Sequence, residues 1–309
     1  MLPWTLYTFY GDKEILKIRY KSICGLVNRR RETAKGGYLP IKPYSCYNDW
    51  LNPTGENLSA DFFSHCWYLR MLDTVSKIAV VVGDEENSVL WRKEFEDGKV
   101  FFNQLYYNAD EGEYSEKIQS SAVLPLAFGL VPDGEAQKVA DTLHGYLERN
   151  SFKLTTGFQA SRYILEVLAD HGYGEDAVKL LHQGEFPSWK YILDSGATNI
   201  TESWFAMNDP DKSNSMCHFS LGAPFAWFFE YLGGIRIYEC GAGFERIVLE
   251  PHCFEKLGEC KISYRSKRGK ITSHWCFENG KLHWQYSVPE GVGAEIREPH
   301  IYADTECRS

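Results

Sequence analysis

The chain has 309 residues, of which 24% are charged and 44% hydrophobic, and its formal net charge at pH 7 is −9. Such a length can bury one large core or two ordinary ones, and the composition gives no reason to expect disorder. The acidic balance argues against nucleic acid or an anionic membrane surface as a partner, because both need a concentrated basic patch. No run of about 18 apolar residues predicts a membrane span.

Nine cysteines are scattered along the chain without a C-x-x-C pair. An odd number without zinc-type spacing favours free thiols in a reducing compartment over a disulfide framework or a metal site. The start, Met1–Trp4, lacks the basic and apolar regions of a secretory signal. We therefore expect a cytoplasmic protein that uses no metal and no cofactor.

Apolar residues three and four positions apart predict helical hairpins over residues 1–235. Asp12 is the expected N-cap of the first long helix. In the clearest hairpin a helix begins near Asp61, Gly83 ends it, and Asp84 caps the next helix after a very short connection. Two further hairpins are predicted, over residues 119–147 and 158–181.

Two segments of the helical part stand apart. Residues 32–58 contain several glycines and prolines and are too long for a hairpin connection, so they predict a functional loop around Asn48–Leu51. Residues Phe219–Leu232 are apolar almost all round, which predicts an interior helix.

After Ile235 apolar and polar residues alternate, which predicts half-buried antiparallel strands. The pair Asn279–Gly280 is a strong type I′ hairpin signal. Helices followed by strands indicate segregated domains, so we predict a helical domain over residues 1–235 and a β-domain over residues 236–309. The alternating segments lie near residues 260–265, 270–277 and 281–288.

The residues best suited to chemistry lie between positions 189 and 222. Glu202 follows a Gly-Ala-Thr run that continues a helix poorly, so it should lie on a loop at the mouth of the helical array. Trp189 and Trp204 frame it, and His218 follows. Aromatic walls with a few polar groups suit a sugar, but each residue also fits an ordinary role: Glu202 as a solvated or capping carboxylate, and the others as core side chains.

These residues occur in a pattern that resembles a known family. Gly196–Thr198, Glu202 and Trp204, followed by Asn214–Ser215, His218 and Leu221–Gly222, resemble the C-terminal part of the catalytic domain of bacterial α-L-rhamnosidases, glycoside hydrolase family 78. Other segments resemble that family in the same order: Pro3–Tyr7, Asp49–Leu51, Phe128–Pro132, Leu154–Phe158, Pro187–Trp189, Gly234–Arg236 and Ile247–Pro251.

The resemblance implies an (α/α) six-hairpin barrel followed by an antiparallel β-sandwich, acting on rhamnose-containing glycosides or oligosaccharides. It also implies hydrolysis of terminal α-L-rhamnose with inversion, in which an acid and a base are about 6.5–9.5 Å apart. Glu202 matches the family's general base. The positions expected to line the sugar pocket are Asp49, Trp50, Trp189, Trp204 and His218.

Two departures from the family pattern are present. Thr201 stands where the family usually has Trp before the base, and the acid motif, which resembles D-x-P-x-R-E-E-R-x-G-W-x-G-D, does not occur. The periodicity predicts about nine helices, and a closed six-hairpin barrel has twelve. We therefore expect an N-terminally truncated rhamnosidase whose exposed apolar surface favours a homo-oligomer or the missing segment as partner.

Other functions remain open. A chain without the acid could be a non-catalytic rhamnose-binding or interaction module, or half of a two-chain enzyme. A related six-hairpin fold acting on another sugar is a third reading, because fold does not fix substrate.

Overall fold

A computed structural model of the chain describes residues 1–34, 48–209, 211, 215–239 and 241–303. The described residues form two compact units, one of residues 1–20 together with 225–309 and the other of residues 21–224. The domain limits expected from periodicity, 1–235 and 236–309, stay a prediction. Among the described helices none is both long and apolar enough to cross a bilayer.

Helices dominate the chain before residue 235, as the hydrophobic spacing predicts. They are α1 (Leu2–Tyr10), α2 (Lys13–Thr33), α3 (Ala60–Val82), α4 (Glu85–Tyr106), α5 (Gln119–Phe128), α6 (Ala136–Arg149), α7 (Phe158–Ser161), α8 (Ile164–Asp170), α9 (Gly174–His182), α10 (Trp189–Asp194) and α11 (Ala223–Trp227). Two short strands, β1 (Tyr107–Asn108) and β2 (Glu113–Tyr114), pair between α4 and α5.

The hairpin of α3 and α4 has the expected caps. Ser59 Oγ accepts the Phe62 amide at the start of α3, and Gly83 ends the helix at φ 84°, a value that costs glycine little. Asp84 then accepts the Asn87 amide and begins α4. These local signals confirm the predicted hairpin.

Two other predicted hairpins are confirmed, with shifted ends. α5 pairs with α6, and α8 pairs with α9. The second hairpin is interrupted at its start, because the short α7 ends before α8 begins. Of the predicted loop over residues 32–58, positions 35–47 lie outside the described residues, and 48–58 form a turn-rich segment.

The strands of the other unit follow in chain order. They are β3 (Ile235–Ile237), β4 (Arg246–Leu249), β5 (His252–Phe254), β6 (Glu259–Ser266), β7 (Gly269–Glu278), β8 (Lys281–Ser287), β9 (Gly293–Ile296) and β10 (His300–Tyr302). β6, β7 and β8 form an antiparallel sheet in the predicted places, and Asn279 and Gly280 both have positive φ at its last turn. β3, β4 and β9 form a second sheet.

Side chains from the two three-stranded sheets share one hydrophobic core. Ile247 and Leu249 of β4 pack in one cluster with Ile271 of β7, and Phe9 of α1 packs against the cluster. The β-region is therefore two packed sheets, as a sandwich requires. Two pairings depart from the expected all-antiparallel order: β4 with β9, and β5 with β10, are parallel.

The expectation of an interior helix over Phe219–Leu232 is wrong in its extent. The helix begins at Ala223, and residues 228–232 continue it as a π-helix. The Gly222 amide donates to the Phe219 carbonyl at 2.9 Å, which closes a turn before the helix. Phe219 is 85% exposed, so an apolar composition did not guarantee burial here.

Candidate active site

Two short stretches that the sequence singled out run side by side in the unit of residues 21–224. The Glu202 amide donates to the Ser215 carbonyl at 2.9 Å, and the His218 amide donates to the Ile200 carbonyl at 2.8 Å. These bonds hold the segment before Trp204 against the segment that carries His218. The pairing places the predicted base, Glu202, and the imidazole of His218 on two neighbouring loop segments. Asn214 lies outside the described residues.

Glu202 is half-buried, and its carboxylate is oriented by the opposite segment. The Ser215 amide donates to Glu202 Oε2 at 3.1 Å, and Ser220 Oγ donates to the Glu202 carbonyl at 3.2 Å. Within the part of the chain that the structure describes, Oε1 has no hydrogen bond, so this oxygen can accept a proton from a bound water. Thr201, where the family usually has Trp, is buried and donates to the Ser203 carbonyl.

His218 is held in one orientation by its own turn. The Ser220 amide donates to His218 Nδ1 at 3.1 Å, so the neutral ring carries its proton on Nε2. The Phe219 ring stacks on the imidazole at a centroid distance of 4.8 Å and an angle of 17°, and Phe158 lies 6.4 Å away. The Nε2–H group can therefore donate to a ligand hydroxyl.

Trp189 and Trp204 meet edge to face, with centroids 5.4 Å apart, and both are almost fully buried. Trp189 Nε1 donates to the Leu221 carbonyl at 2.8 Å, and Trp204 Nε1 donates to the Thr156 carbonyl at 3.3 Å. The two indoles thus hold the segments around Leu221 and Thr156 in place, and their expected contact with the sugar stays a prediction. Little of either ring is exposed to a ligand.

Asp49 lies inside the protein. Its Oδ2 accepts Ser120 Oγ at 2.5 Å and the Gly157 amide at 2.7 Å, and its Oδ1 accepts the Ala160 amide at 2.9 Å. Burial raises the pKa of the Asp49 carboxyl, and these donors counteract the rise in part. The structure therefore places Asp49 as an anchor for the start of α7, and its expected contact with sugar stays a prediction.

Trp50 follows this anchor and is 39% exposed. Its amide donates to Gln159 Oε1 at 2.8 Å, and its carbonyl accepts the Phe158 amide at 3.0 Å. Gly157 fits here because a Cβ would stand 2.1 Å from the Asp49 carbonyl oxygen. Close backbone contact therefore holds an accessible indole at this point.

Residues 154–161 are the shared support of the site. They bind Asp49, Trp50 and Trp204 by hydrogen bonds, and Phe158 faces His218. Sequence reasoning did not give these supporting residues a role, although part of the segment belonged to the resemblance. Among the described residues, no group of three or more His, Cys, Asp or Glu side chains could hold a metal ion.

Two family models match the chain. The model of the bacterial alpha-L-rhamnosidase 6 hairpin glycosidase domain matches residues 1–232, and that of the bacterial alpha-L-rhamnosidase C-terminal domain matches residues 234–305. The chain belongs to the bacterial α-L-rhamnosidase family. The recognition made from the sequence is confirmed, and so is its fold class of six-hairpin helices followed by a β-rich domain.

Relatives of this rhamnosidase-family chain are much longer than the chain. An alpha-L-rhamnosidase of Streptomyces avermitilis is 29% identical over 98% of the chain and 29% of its own length. One of Alteromonas sp. is 26% identical over 98% of the chain and 34% of its own length. The chain thus spans about a third of the curated relatives it matches.

Solved structures give the same result. The crystal structure of Streptomyces avermitilis alpha-L-rhamnosidase complexed with L-rhamnose has a TM-score of 0.86 and 28% identity, covering 95% of this chain and 28% of that one. An alpha-L-rhamnosidase from Dictyoglumus thermophilum has a TM-score of 0.86 and 29% identity, covering 95% and 33%.

Proposed function

We propose that this chain carries the water-activating side of an inverting α-L-rhamnosidase site, with Glu202 as the general base. The observation that carries the proposal is the position of the Glu202 carboxylate. The Ser215 amide fixes Oε2, and Oε1 has no hydrogen bond among the described residues. Relatives that span the chain are α-L-rhamnosidases, which supports terminal α-L-rhamnose as the substrate.

In the proposed step, Oε1 takes a proton from water while the water oxygen attacks the anomeric carbon. The bond from that carbon to the leaving oxygen breaks on the opposite face, and a general acid protonates the leaving oxygen. His218 donates its Nε2–H to a sugar hydroxyl, and Trp50 offers an apolar wall. Trp189 and Trp204 hold the surrounding segments in place.

The general acid is not assigned to a residue, because these 309 residues include no counterpart of the family's acid motif. General acid assistance is typically worth about 10²–10⁴-fold in rate. An aryl rhamnoside with a good leaving group needs little protonation, whereas a natural flavonoid or polysaccharide rhamnoside needs it. We therefore expect the purified chain to act weakly on the aryl substrate and to be almost inert on natural ones.

The test compares Glu202→Gln with Glu298→Gln, which changes an exposed carboxylate in the other unit. Release of nitrophenol from 4-nitrophenyl α-L-rhamnoside is measured, and NMR identifies the first anomer of rhamnose formed. Glu202→Gln should abolish turnover, and Glu298→Gln should preserve it. Turnover unchanged by Glu202→Gln, or first release of the α-anomer, would contradict the proposal.

A second candidate is a non-catalytic rhamnose-binding module, and the missing acid motif favours it. Such a module binds rhamnose through His218 and Trp50 without turnover. Calorimetry with L-rhamnose, combined with the turnover assay, separates the two. Binding that is lost in His218→Ala, with no hydrolysis of the aryl substrate at high protein concentration, would favour the module.

A further inference from the structure

The turn of residues 218–222 is held by several hydrogen bonds. The His218 amide binds the Ile200 carbonyl, Ser220 Oγ binds the Glu202 carbonyl, and the Leu221 carbonyl accepts Trp189 Nε1. The Gly222 amide closes the turn onto the Phe219 carbonyl. These bonds fix the backbone from which the Phe219 side chain projects.

The exposure of Phe219 is unusual for such a place. Its side chain is 85% exposed, although burial of an aromatic ring is among the largest favourable contributions that one residue can make. One ring face lies on the His218 imidazole. Met216, two residues before His218, is 37% exposed. We name the surface formed by Met216 and Phe219 the leaving-group surface.

We propose that the leaving-group surface binds the aglycone and that Phe219 selects a planar aromatic aglycone over a sugar. The inference rests on the proposed function, in which His218 binds the rhamnose ring. Because the Phe219 ring is stacked on the imidazole, the apolar surface continues directly from the sugar contact. The group attached to the rhamnose is therefore the part of the substrate that can reach it.

The chemistry of the surface favours an aromatic ring. When His218 is neutral, residues 216–222 carry no charged side chain. The hydroxyl of Ser220 donates to the Glu202 carbonyl and so is not directed at a ligand. Within residues 216–222 the exposed side chains are those of Met216, Cys217 and Phe219, so an arene can stack on the Phe219 ring, and Met216 offers a polarizable sulfur beside it in the chain. The leaving-group surface therefore favours an aromatic aglycone over a sugar by stacking on its ring.

The test uses a pair of ligands that differ only in the aglycone and resist hydrolysis: phenyl and methyl 1-thio-α-L-rhamnoside. Isothermal calorimetry on the full chain should give about two- to twelvefold tighter binding for the phenyl ligand, the range expected for one aromatic contact. Phe219→Ala should remove this preference and leave the affinity for the methyl ligand unchanged. Phe219→Trp should retain the preference.

Tyr286→Ala is the matched control, because it removes another exposed aromatic side chain, 45% exposed on β8. It should leave both affinities unchanged. Equal affinities for the two ligands in the parent chain, or a preference that survives Phe219→Ala, would overturn the inference while leaving the proposed function intact. Failure of both ligands to bind would instead overturn the proposed function, and this inference with it. A rise in self-association of the parent relative to Phe219→Ala would show that Phe219 serves a protein contact instead.

Discussion

The buried carboxylate of Asp49 gives the sharpest test of how the site is supported. Three donors converge on it: Ser120 Oγ, the Gly157 amide and the Ala160 amide. Asp49→Ala leaves all three without an acceptor in a place that water does not reach, and each unsatisfied buried donor costs about 1–3 kcal/mol. Because the costs are not additive and the site relaxes, we expect a loss of about 3–5 kcal/mol.

Asp49→Asn provides a graded comparison. An amide keeps one oxygen, which can face Ser120 and Gly157, but its NH₂ group must then face the Ala160 amide. One donor loses its acceptor, so the expected loss is about 1–3 kcal/mol. Ser120→Ala removes a donor and leaves the carboxylate its two amide partners, with an expected loss near 1 kcal/mol.

The assay is urea unfolding followed by tryptophan fluorescence, with hydrogen exchange of the amides as a local readout. The Gly157 and Ala160 amides should lose protection most in Asp49→Ala, before distant amides do. Stability of Asp49→Ala within 0.5 kcal/mol of the parent, or unchanged protection of both amides, would refute the role of Asp49 as an anchor. A free energy of unfolding that rises from Asp49→Ala to Asp49→Asn to the parent chain is the result that supports this role.

The remaining predictions concern two other positions. Gly157→Ala places a Cβ 2.1 Å from the Asp49 carbonyl oxygen, so it should destabilise the chain by about 3 kcal/mol or more, and near-parent urea stability would contradict this. Burial, His300 and Arg236 lower the pKa of His252 to about 3. Since the unfolded pKa is near 6.5, His252 stabilises the fold above that pH, and its share is lost as pH falls from about 6.5 toward 3. NMR titration should find its imidazole neutral at pH 5, and His252→Asn should flatten the acid limb of the stability profile.

Much of the fold could be predicted from local sequence. Gly83 and Asp84 end and begin helices through contacts within a few residues, and Asn279–Gly280 sets its turn in the same way. The start of the late apolar helix could not be predicted, because the residues before it are held in a turn by bonds to Ile200, Glu202 and Trp189, which lie 18 or more positions earlier in the chain. The parallel pairings of β9 and β10 depend on partners far along the chain, which periodicity does not identify.

The candidate site, too, could be predicted only in part from the sequence. The pattern around Glu202 and His218 indicated the family and the residues with chemistry. It could not show that the Asp49 carboxylate is fully hydrogen-bonded inside the protein, since its donors come from two distant places in the sequence, Ser120 and the segment of residues 154–161. Nor could it show that Phe219 is exposed, because an isolated phenylalanine in an apolar run is usually buried.

The shared support of residues 154–161 has a consequence for how this pocket responds to change. Asp49, Trp50 and Trp204 all bind that one segment, so their contributions to stability are coupled through it. Residues with a common partner typically show interaction energies of about 0.5–3 kcal/mol in double-mutant cycles. The effect of a second substitution in this set therefore depends on whether the first has already changed residues 154–161, and paired changes should depart from the sum of their separate effects. Ligand preference can vary with least effect on this segment at the exposed side chains of Met216 and Phe219.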